Sequence, residues 1–554
     1  MALNYQGRTF LTDNDLKVNV LGFFPGMEIK NLRLKEIFER GSGRDFLGGD
    51  EIIAYSQSLV SGGMDFVAVE DAILGDIDAG KELKKTVFNK TATGIGRGHS
   101  LGGLSGIVLG IHGTKMIDSG LTGFCMSRSL VTSSRRRETT SEEIAVPECL
   151  RGKDEMLNEY LEISRDVFRV AEQFKAQIGK LGGVETFNKV IPYNNPADLF
   201  WAVPLDTLAG LSFEVRRDSE GSEKFVPREL HVLAGMLPEL AERAGMGIMF
   251  RQRVNVPRDT YFHYNVFKNP KDPNYALEKA ELNGMSLEPR VVDVHKEITP
   301  GFCKGLARLN QLRRETMSEK NPAELTKKAM RYVLALNQFS NEYNESVRLK
   351  VADSLSWRVW SEQKRHATLR QNVESVYSGA RRAYSTMKEM WSVIQRVASG
   401  SSSAQLDSAE LEKVIVIDDR LKQRPELLVP YVYHTARQLM FYGKMLEQGF
   451  EERDALFIVP KNIRLRTLEH YDLINLIDLE FPLRLCSTCE PERNASSWKK
   501  RAIIANALPE LESFLQPKCN VGYCTEGKPC KNVMGFREGY DLNFHNAVKS
   551  EMLK

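Results

Sequence analysis

Residues 208–216 read LAGLSFEVR, and residues 476–484 read LIDLEFPLR. Leu208, Leu211, Phe213 and Arg216 superpose without a gap on Leu476, Leu479, Phe481 and Arg484. Upstream, Ile191-Pro192 matches Val459-Pro460, and in both places 24 residues separate the proline from the arginine. Each proline also follows an amphipathic pattern that ends near a glycine, Gly183 in one case and Gly449 in the other. Leucine spacing alone could arise by chance on a helix. The shared proline at an equal separation predicts a duplicated domain, because a period above 200 residues is far too long for a solenoid repeat.

Around this repeat the chain divides by pattern. The apolar run Val18 to Phe24 ends at Pro25-Gly26 and reads as a strand closed by a turn. Residues 30–90 alternate helical and short extended patterns, Gly94 to Gly110 is glycine-rich, and Ile117 to Val131 reads as a buried helix. Residues 150–182 carry apolar positions at three- and four-residue spacing, which predicts an amphipathic helix. The stretch 301–397 is largely helical by the same test, with Pro322 as a break. Ala398 to Ser408 is polar and serine-rich and reads as a loop or linker. The expected fold class is α/β (α+β), helix-rich, with two tandem repeats: residues 1–222 and 301–485, a connecting segment 223–300, and a cysteine-rich tail 486–554.

Bulk properties exclude several classes. At 554 residues the chain is too long for one core. Its 42% hydrophobic and 27% charged content are those of an ordinary globular protein. No apolar run approaches the 18 or so residues of a membrane span, and the first 20 residues lack a signal-peptide pattern, so a cytoplasmic address without membrane partners is expected. With 76 basic against 73 acidic residues, the net charge of +3 does not argue for nucleic acid. A local run, Arg135-Arg136-Arg137, suits a phosphate or dianionic nucleotide.

The segment EQKRHATLRQNVESVY (362–377) carries the chemistry. Arg365, His366, Asn372 and Ser375 match the signature of the flavin-dependent thymidylate synthases (the ThyX type), which this chain resembles. That signature runs Arg-His-Arg, then Ser, Asn and Ser, then Arg-Tyr. Here Ala367 stands at its second arginine, and Tyr377-Ser378 at its close. The first half makes a complementary match. Gly98-His99 resembles the family's Gly-His motif, Ser134 follows 35 residues later, and Arg136 comes at the family's spacing. In that register Phe124, Cys125 and Met126 replace Arg-His-Arg, while the second half has Ser340 for the motif histidine and keeps Glu345. Each half therefore retains what the other lost, as a composite site between unlike halves would permit. Tyr471 and Asn475 also fall where the family has a Tyr and an Asn.

The resemblance implies an FAD enzyme that transfers a one-carbon unit from methylene-tetrahydrofolate to dUMP or a related pyrimidine nucleotide, with NADPH as reductant. It implies His99, Arg365, His366, Asn372 and Glu345 on the cofactor, and Arg136, Arg216, Arg484 and Ser375 on the nucleotide. Ser375, Ser134 and His366 are the candidates nearest the chemistry. Partners are then small molecules, and a homodimer would reproduce the family's four-domain assembly. Read without the family, an Arg-His pair followed by Asn and Ser supplies anion-binding donors beside polar hydrogen-bonding groups but no catalytic triad, so a cofactor would carry the hard chemistry. The run TGIGRGHSLGG is not a dinucleotide fingerprint, because His99 occupies its third glycine position and no ribose-binding acid follows at the right distance.

Five of the eight cysteines lie between 486 and 530. Clustering of this kind in a cytosolic chain favours metal over disulfides. Cys486, Cys489, Cys524 and Cys530 are the candidate ligands of a structural zinc, with Cys519 the rival for one place, and an iron–sulfur cluster or unligated thiols as alternatives. A non-catalytic scaffold of the same fold with a zinc tail is the alternative to the enzyme reading.

Overall fold

The computed structural model describes all residues except 1, 62–68, 97–103, 125–128, 133–142, 179–185, 187–188, 256–265, 272–287, 364–367, 401–404, 531–536 and 554. The chain mixes helices with small antiparallel sheets and forms two compact units that do not follow chain order. One comprises 1–270, 375–408 and 420–461; the other comprises 271–374, 409–419 and 462–554.

The first unit holds a four-stranded sheet of β1 (Lys17–Phe24), β2 (Gly106–Thr114), β3 (Ser129–Thr132) and β4 (Pro196–Pro204), in the order β1-β2-β4-β3. Alternate residues of its two central strands, Ile107, Leu109 and Ile111 with Ala197, Leu199, Trp201 and Val203, are buried, which is the signature of a sheet covered on one face. That face packs on helices α3 (Leu205–Glu220) and α4 (Arg228–Arg243), the latter through Leu230, Leu233, Leu237 and Leu240 at helical spacing. Gly106, in the glycine-rich run, serves this packing. A Cβ on Gly106 would stand 2.6 Å from the Val203 carbonyl oxygen, so the strands could not close around any larger residue.

The second unit repeats the plan. Strands β5 (Arg290–Lys296), β6 (Val347–Ser356), β7 (Arg370–Val373) and β8 (Arg464–Asp472) run in the order β5-β6-β8-β7. Leu109 pairs with Trp201 in the first sheet as Val351 pairs with Glu469 in the second. In both sheets the second strand ends on a hydroxyl residue gripped by a glutamate. Thr114 donates its backbone N–H and its hydroxyl to Glu229 of α4 (2.7 and 2.5 Å). Ser356 donates the same two groups to Glu492 (2.7 and 2.8 Å), in the first turn of α8 (Pro491–Ala507).

The first unit also holds the long helices α2 (Asp154–Ile178) and α6 (Pro425–Glu447), which pack on each other, with α5 (Val376–Ala398) packed on α6. Helices α2 and α6 meet through Tyr160–Phe441 and Phe174–Tyr431 ring contacts. Arg437 bridges Glu162 and Asp166 (both 2.6 Å), and Lys444 reaches Glu159 (2.6 Å). Further along the chain from each helix, Pro192 and Pro460 form an isolated antiparallel bridge, and the Lys461 ammonium lies 5.0 Å from the Tyr193 ring centre.

Expected and observed elements agree at β1, at α2 and at the helix Pro322–Glu342, where proline occupies the first turn and Asn321 caps the end. They differ elsewhere. The helix expected over 117–131 spans Lys115–Phe124, and Ser129–Thr132 is instead an edge strand pairing with β4. The helical stretch expected over 301–397 is interrupted by β6 and β7, because β6 has a partner on each side and sheet pairing outweighs a local helical pattern. Among the described residues no helix is long and apolar enough to cross a membrane.

Burial pushes the Glu229 carboxyl up to about 8, against the two hydrogen bonds from Thr114. A folded-state value above the unfolded one means that the native state holds the extra proton, so this group's contribution to stability falls as pH rises toward about 8. Glu229→Gln accepts from the Thr114 N–H through its amide oxygen, donates to the Thr114 hydroxyl through its NH2, and removes the titration. Denaturant unfolding should therefore show the variant gaining on the wild type between roughly pH 5 and 8, with no change in the difference below that range.

Candidate functional site

The helix Trp357–Gln363 starts directly from the gripped end of β6 and leads into the segment that holds the Arg-His pair. Arg365 and His366 lie outside the described residues, as do His99, Ser134 and Arg136. The anchors on either side of the pair are described. On the near side, Gln363 is fully buried; its side-chain amide donates to Glu469 Oε1 (2.6 Å), and its carbonyl accepts from Arg484 Nη2 (3.2 Å). On the far side, the Thr368 carbonyl accepts from Asn475 Nδ2 (3.1 Å), and Asp472 Oδ1 accepts from the same amide (2.8 Å). Arg484, in α7 (Glu480–Leu485), is itself held by Glu480 (2.6 Å). The structure thus brings Gln363, Thr368, Asn475 and Arg484 together around the two ends of 364–367.

The remaining expected residues are placed separately. Asn372 sits half-buried in β7, opposite Leu468. Ser375 precedes α5; it is 4% exposed and donates its hydroxyl to the Lys268 carbonyl (2.7 Å). Glu345 is exposed and paired with Arg348. Arg216 is exposed near the end of α3, where its guanidinium covers the Phe213 ring and reaches the Val254 carbonyl (3.3 Å). The two repeat arginines therefore differ in state: Arg484 is buried and committed to partners, and Arg216 faces solvent.

Beneath the anchors lies a group that the sequence reading missed. Asp353 of β6 and Glu469 of β8 face Arg493 and Lys500 of α8, all four at most 2% exposed. Lys500 Nζ stands 2.8 Å from both carboxylates, and Arg493 Nη1 is 2.9 Å from Glu469 and 3.3 Å from Asp353. Tyr471 donates its hydroxyl to Glu469 (2.6 Å), and Ser496 donates to Asp353 (2.7 Å). Burial alone would raise the Glu469 carboxyl, but the charges of Arg493 and Lys500 and these hydrogen bonds outweigh it and hold the group well below the usual carboxylate range. In the first sheet the corresponding positions, by strand register and by place along the helix, are Ile111, Trp201, Leu230 and Leu237, all in its apolar core. The sequence signal was Arg493 and Lys500 seven residues apart, in line with Ser497 and Ile504 on one helix face.

The cysteine-rich tail forms its own pocket. Cys486, Cys519, Cys524 and Cys530 line it, and Cys489 is not among the lining residues. Burial, followed by the neighbouring thiols of Cys486, Cys524 and Cys530, pushes Cys519 up to about 12. Among the described residues no group of three or more His, Cys, Asp or Glu side chains is already drawn together as a metal site.

Comparison with known proteins points the same way as the motif. A flavin-dependent thymidylate synthase of Pyrococcus horikoshii is 30% identical over 144 residues, covering 24% of this chain and 58% of that protein. The Pyrococcus abyssi enzyme is 29% identical over the same length and shares. The Sulfurisphaera tokodaii enzyme is 22% identical over 181 residues, covering 32% of this chain and 65% of that protein. The chain's sequence relatives are thus flavin-dependent thymidylate synthases, and it spans less than two thirds of their length. No protein-family model matches the chain.

Removing one member of the buried charge group strands its partners. Lys500→Met should cost about 3–5 kcal/mol in denaturant unfolding. Replacing all four together (Asp353→Leu, Glu469→Met, Arg493→Met, Lys500→Met) should recover most of that loss, because no unpaired charge then remains in the core.

Proposed function

We propose that this chain is a flavoenzyme of the thymidylate synthase type, built from two diverged copies of one domain, that uses FAD, methylene-tetrahydrofolate and NADPH to transfer a one-carbon unit to dUMP or a closely related pyrimidine nucleotide. The observation that carries the reading is the Arg365-His366…Asn372…Ser375 match together with relatives that are themselves flavin-dependent thymidylate synthases. Duplication is supported by the shared strand order, by the glutamate grip at Thr114 and Ser356, and by the Pro192–Pro460 bridge between matched prolines.

The donor set suits the ligands. Arg216 offers an exposed guanidinium for a phosphate or base, and Asn372 an accessible amide for a ring. Ser375 and Arg484 are already hydrogen-bonded within the protein, so their part is to fix the backbone that presents the motif. Gln363 and Asn475 do the same on either side of the Arg-His pair. His99, Arg365 and Arg136 are the residues assigned to cofactor and nucleotide by their motif positions. Flavin and folate supply the redox and one-carbon chemistry, and the protein's part is binding, orientation and exclusion of water. Departures at Ala367 and Tyr377-Ser378 fall where the family holds phosphates, so the acceptor nucleotide is the feature most open to change.

The test begins with the absorbance of the purified protein. Bound flavin that disappears in the His99→Ala, Arg365→Ala double variant supports the reading, and a chain that takes up no flavin from excess FAD refutes it. Thymidine-independent growth of a host lacking its own thymidylate synthase should follow if dUMP is the acceptor, while flavin binding without rescue would assign a different pyrimidine nucleotide.

A further inference from the structure

The tail between Pro517 and Tyr540 has little to hold it by apolar burial. Its described residues form no helix longer than the short turn Lys518–Val521. Among its described residues, its own buried apolar cluster is Cys524 with Tyr540, with Cys519, Tyr523, Cys530 and Phe544 packed around them half-buried, while Val521 packs at the edge of the second unit's main core. What ties it is mainly polar: the Tyr540 hydroxyl accepts from the Cys524 N–H (2.9 Å), Lys549 reaches the Thr525 carbonyl (2.8 Å), and the buried Arg537 guanidinium donates to the Gly522 and Glu319 carbonyls. A segment this short with so small a core ordinarily needs a cross-link to keep one conformation.

The cross-linking groups are at hand. Cys486 follows the last residue of α7; it is 8% exposed, and its carbonyl is fixed by Asn494 Nδ2 of α8 (3.0 Å). Cys519, Cys524 and Cys530 come from successive bends of the tail and open on the same pocket as Cys486. None of the four is in a disulfide. Lys518, ion-paired with Glu526, and Lys528 also line the pocket, so Lys528 is the positive charge not offset by that pair beside four groups that become anionic when they bind a metal. Cys489 lies outside this pocket and feels instead the charges of Arg484 and Arg493.

We propose that Cys486, Cys519, Cys524 and Cys530 form a four-thiolate site for a structural zinc ion that pins the tail to the second sheet's helical cover, with Cys489 taking no part. Four sulfur ligands and no water make a closed site, which stabilises a fold and leaves no open position for catalysis. Side-chain rotation of the thiols draws them in around the ion, and four protons leave as it binds. Three ligands come from the tail and one from the end of α7, so the ion closes a loop that the chain's own apolar contacts hold weakly. The site depends on no part of the flavin reading.

The test is metal analysis of the full-length protein after gel filtration, with flavin content measured on the same samples. One zinc per chain is expected. A cobalt-substituted protein should show the intense thiolate charge-transfer bands and tetrahedral ligand-field bands of four sulfur ligands. Cys519→Ser should lose the metal or bind it at least tenfold more weakly, while Cys489→Ser keeps it in full. Should Cys519→Ser fail to fold, the comparison rests on the wild-type stoichiometry, the cobalt spectrum and Cys489→Ser, all of which use folded protein. The proposal is overturned by a folded wild type that takes up no zinc when zinc is supplied, by metal lost in Cys489→Ser, or by iron with acid-labile sulfide in place of zinc.

Discussion

A carboxylate carried out of water must bring its counter-charge with it, and the second sheet is organised by that constraint. Asp353 and Glu469 stand on its two central strands, and Arg493 and Lys500 descend from α8 to meet them with almost no exposure to solvent. Desolvating four charges is expensive, and mutual attraction offsets the cost only when geometry is good and the remaining donors are used. Here the remaining donors include Tyr471, Ser496 and Gln363. The last of these matters most for the site, because Gln363 stands at the entrance to the Arg-His segment. Where the first sheet's centre is apolar, this one is a polar anchor for Gln363, next to the segment that carries the motif.

The first sheet shows what the same architecture looks like without that demand. Ile111, Trp201, Leu230 and Leu237 fill the corresponding places, and the sheet is held by ordinary hydrophobic burial. Both sheets nevertheless keep one polar device, the glutamate that grips the last residue of the second strand. A strand end has backbone donors without ladder partners, and a buried donor left unpaired costs about 1–3 kcal/mol. One carboxyl group with two oxygens partners both the N–H and the hydroxyl, and it joins strand to helix in the same stroke. This grip fixes where the next helix starts, and in the second sheet that helix is the one leading to Gln363.

Polar commitments also sort the motif residues by role. Ser375 and Arg484 look alike in sequence to groups that would touch a ligand, yet each is buried and committed within the protein, Ser375 to the Lys268 carbonyl and Arg484 to the Gln363 carbonyl and the Glu480 carboxylate. Arg216, at the matching place in the other repeat, is free of such burial and remains available to an anion.

The sequence by itself determined what near neighbours control. The proline-stopped strand at Lys17–Phe24, the amphipathic helix Asp154–Ile178 and the proline-started helix Pro322–Glu342 were legible because periodicity, caps and breakers act within a few residues. The resemblance to the flavin-dependent thymidylate synthases was legible for the same reason, its motif being a contiguous string. Only the tertiary structure decided that 347–356 is a central strand, that charges line one sheet where leucines line the other, and that Cys519 rather than Cys489 shares a pocket with Cys486. Each of those outcomes depends on groups far apart in the chain, in the case of Asp353 and Lys500 147 residues apart. Burial and pairing are properties of the folded neighbourhood, and no local pattern records which distant residue will supply the missing charge, strand or thiol.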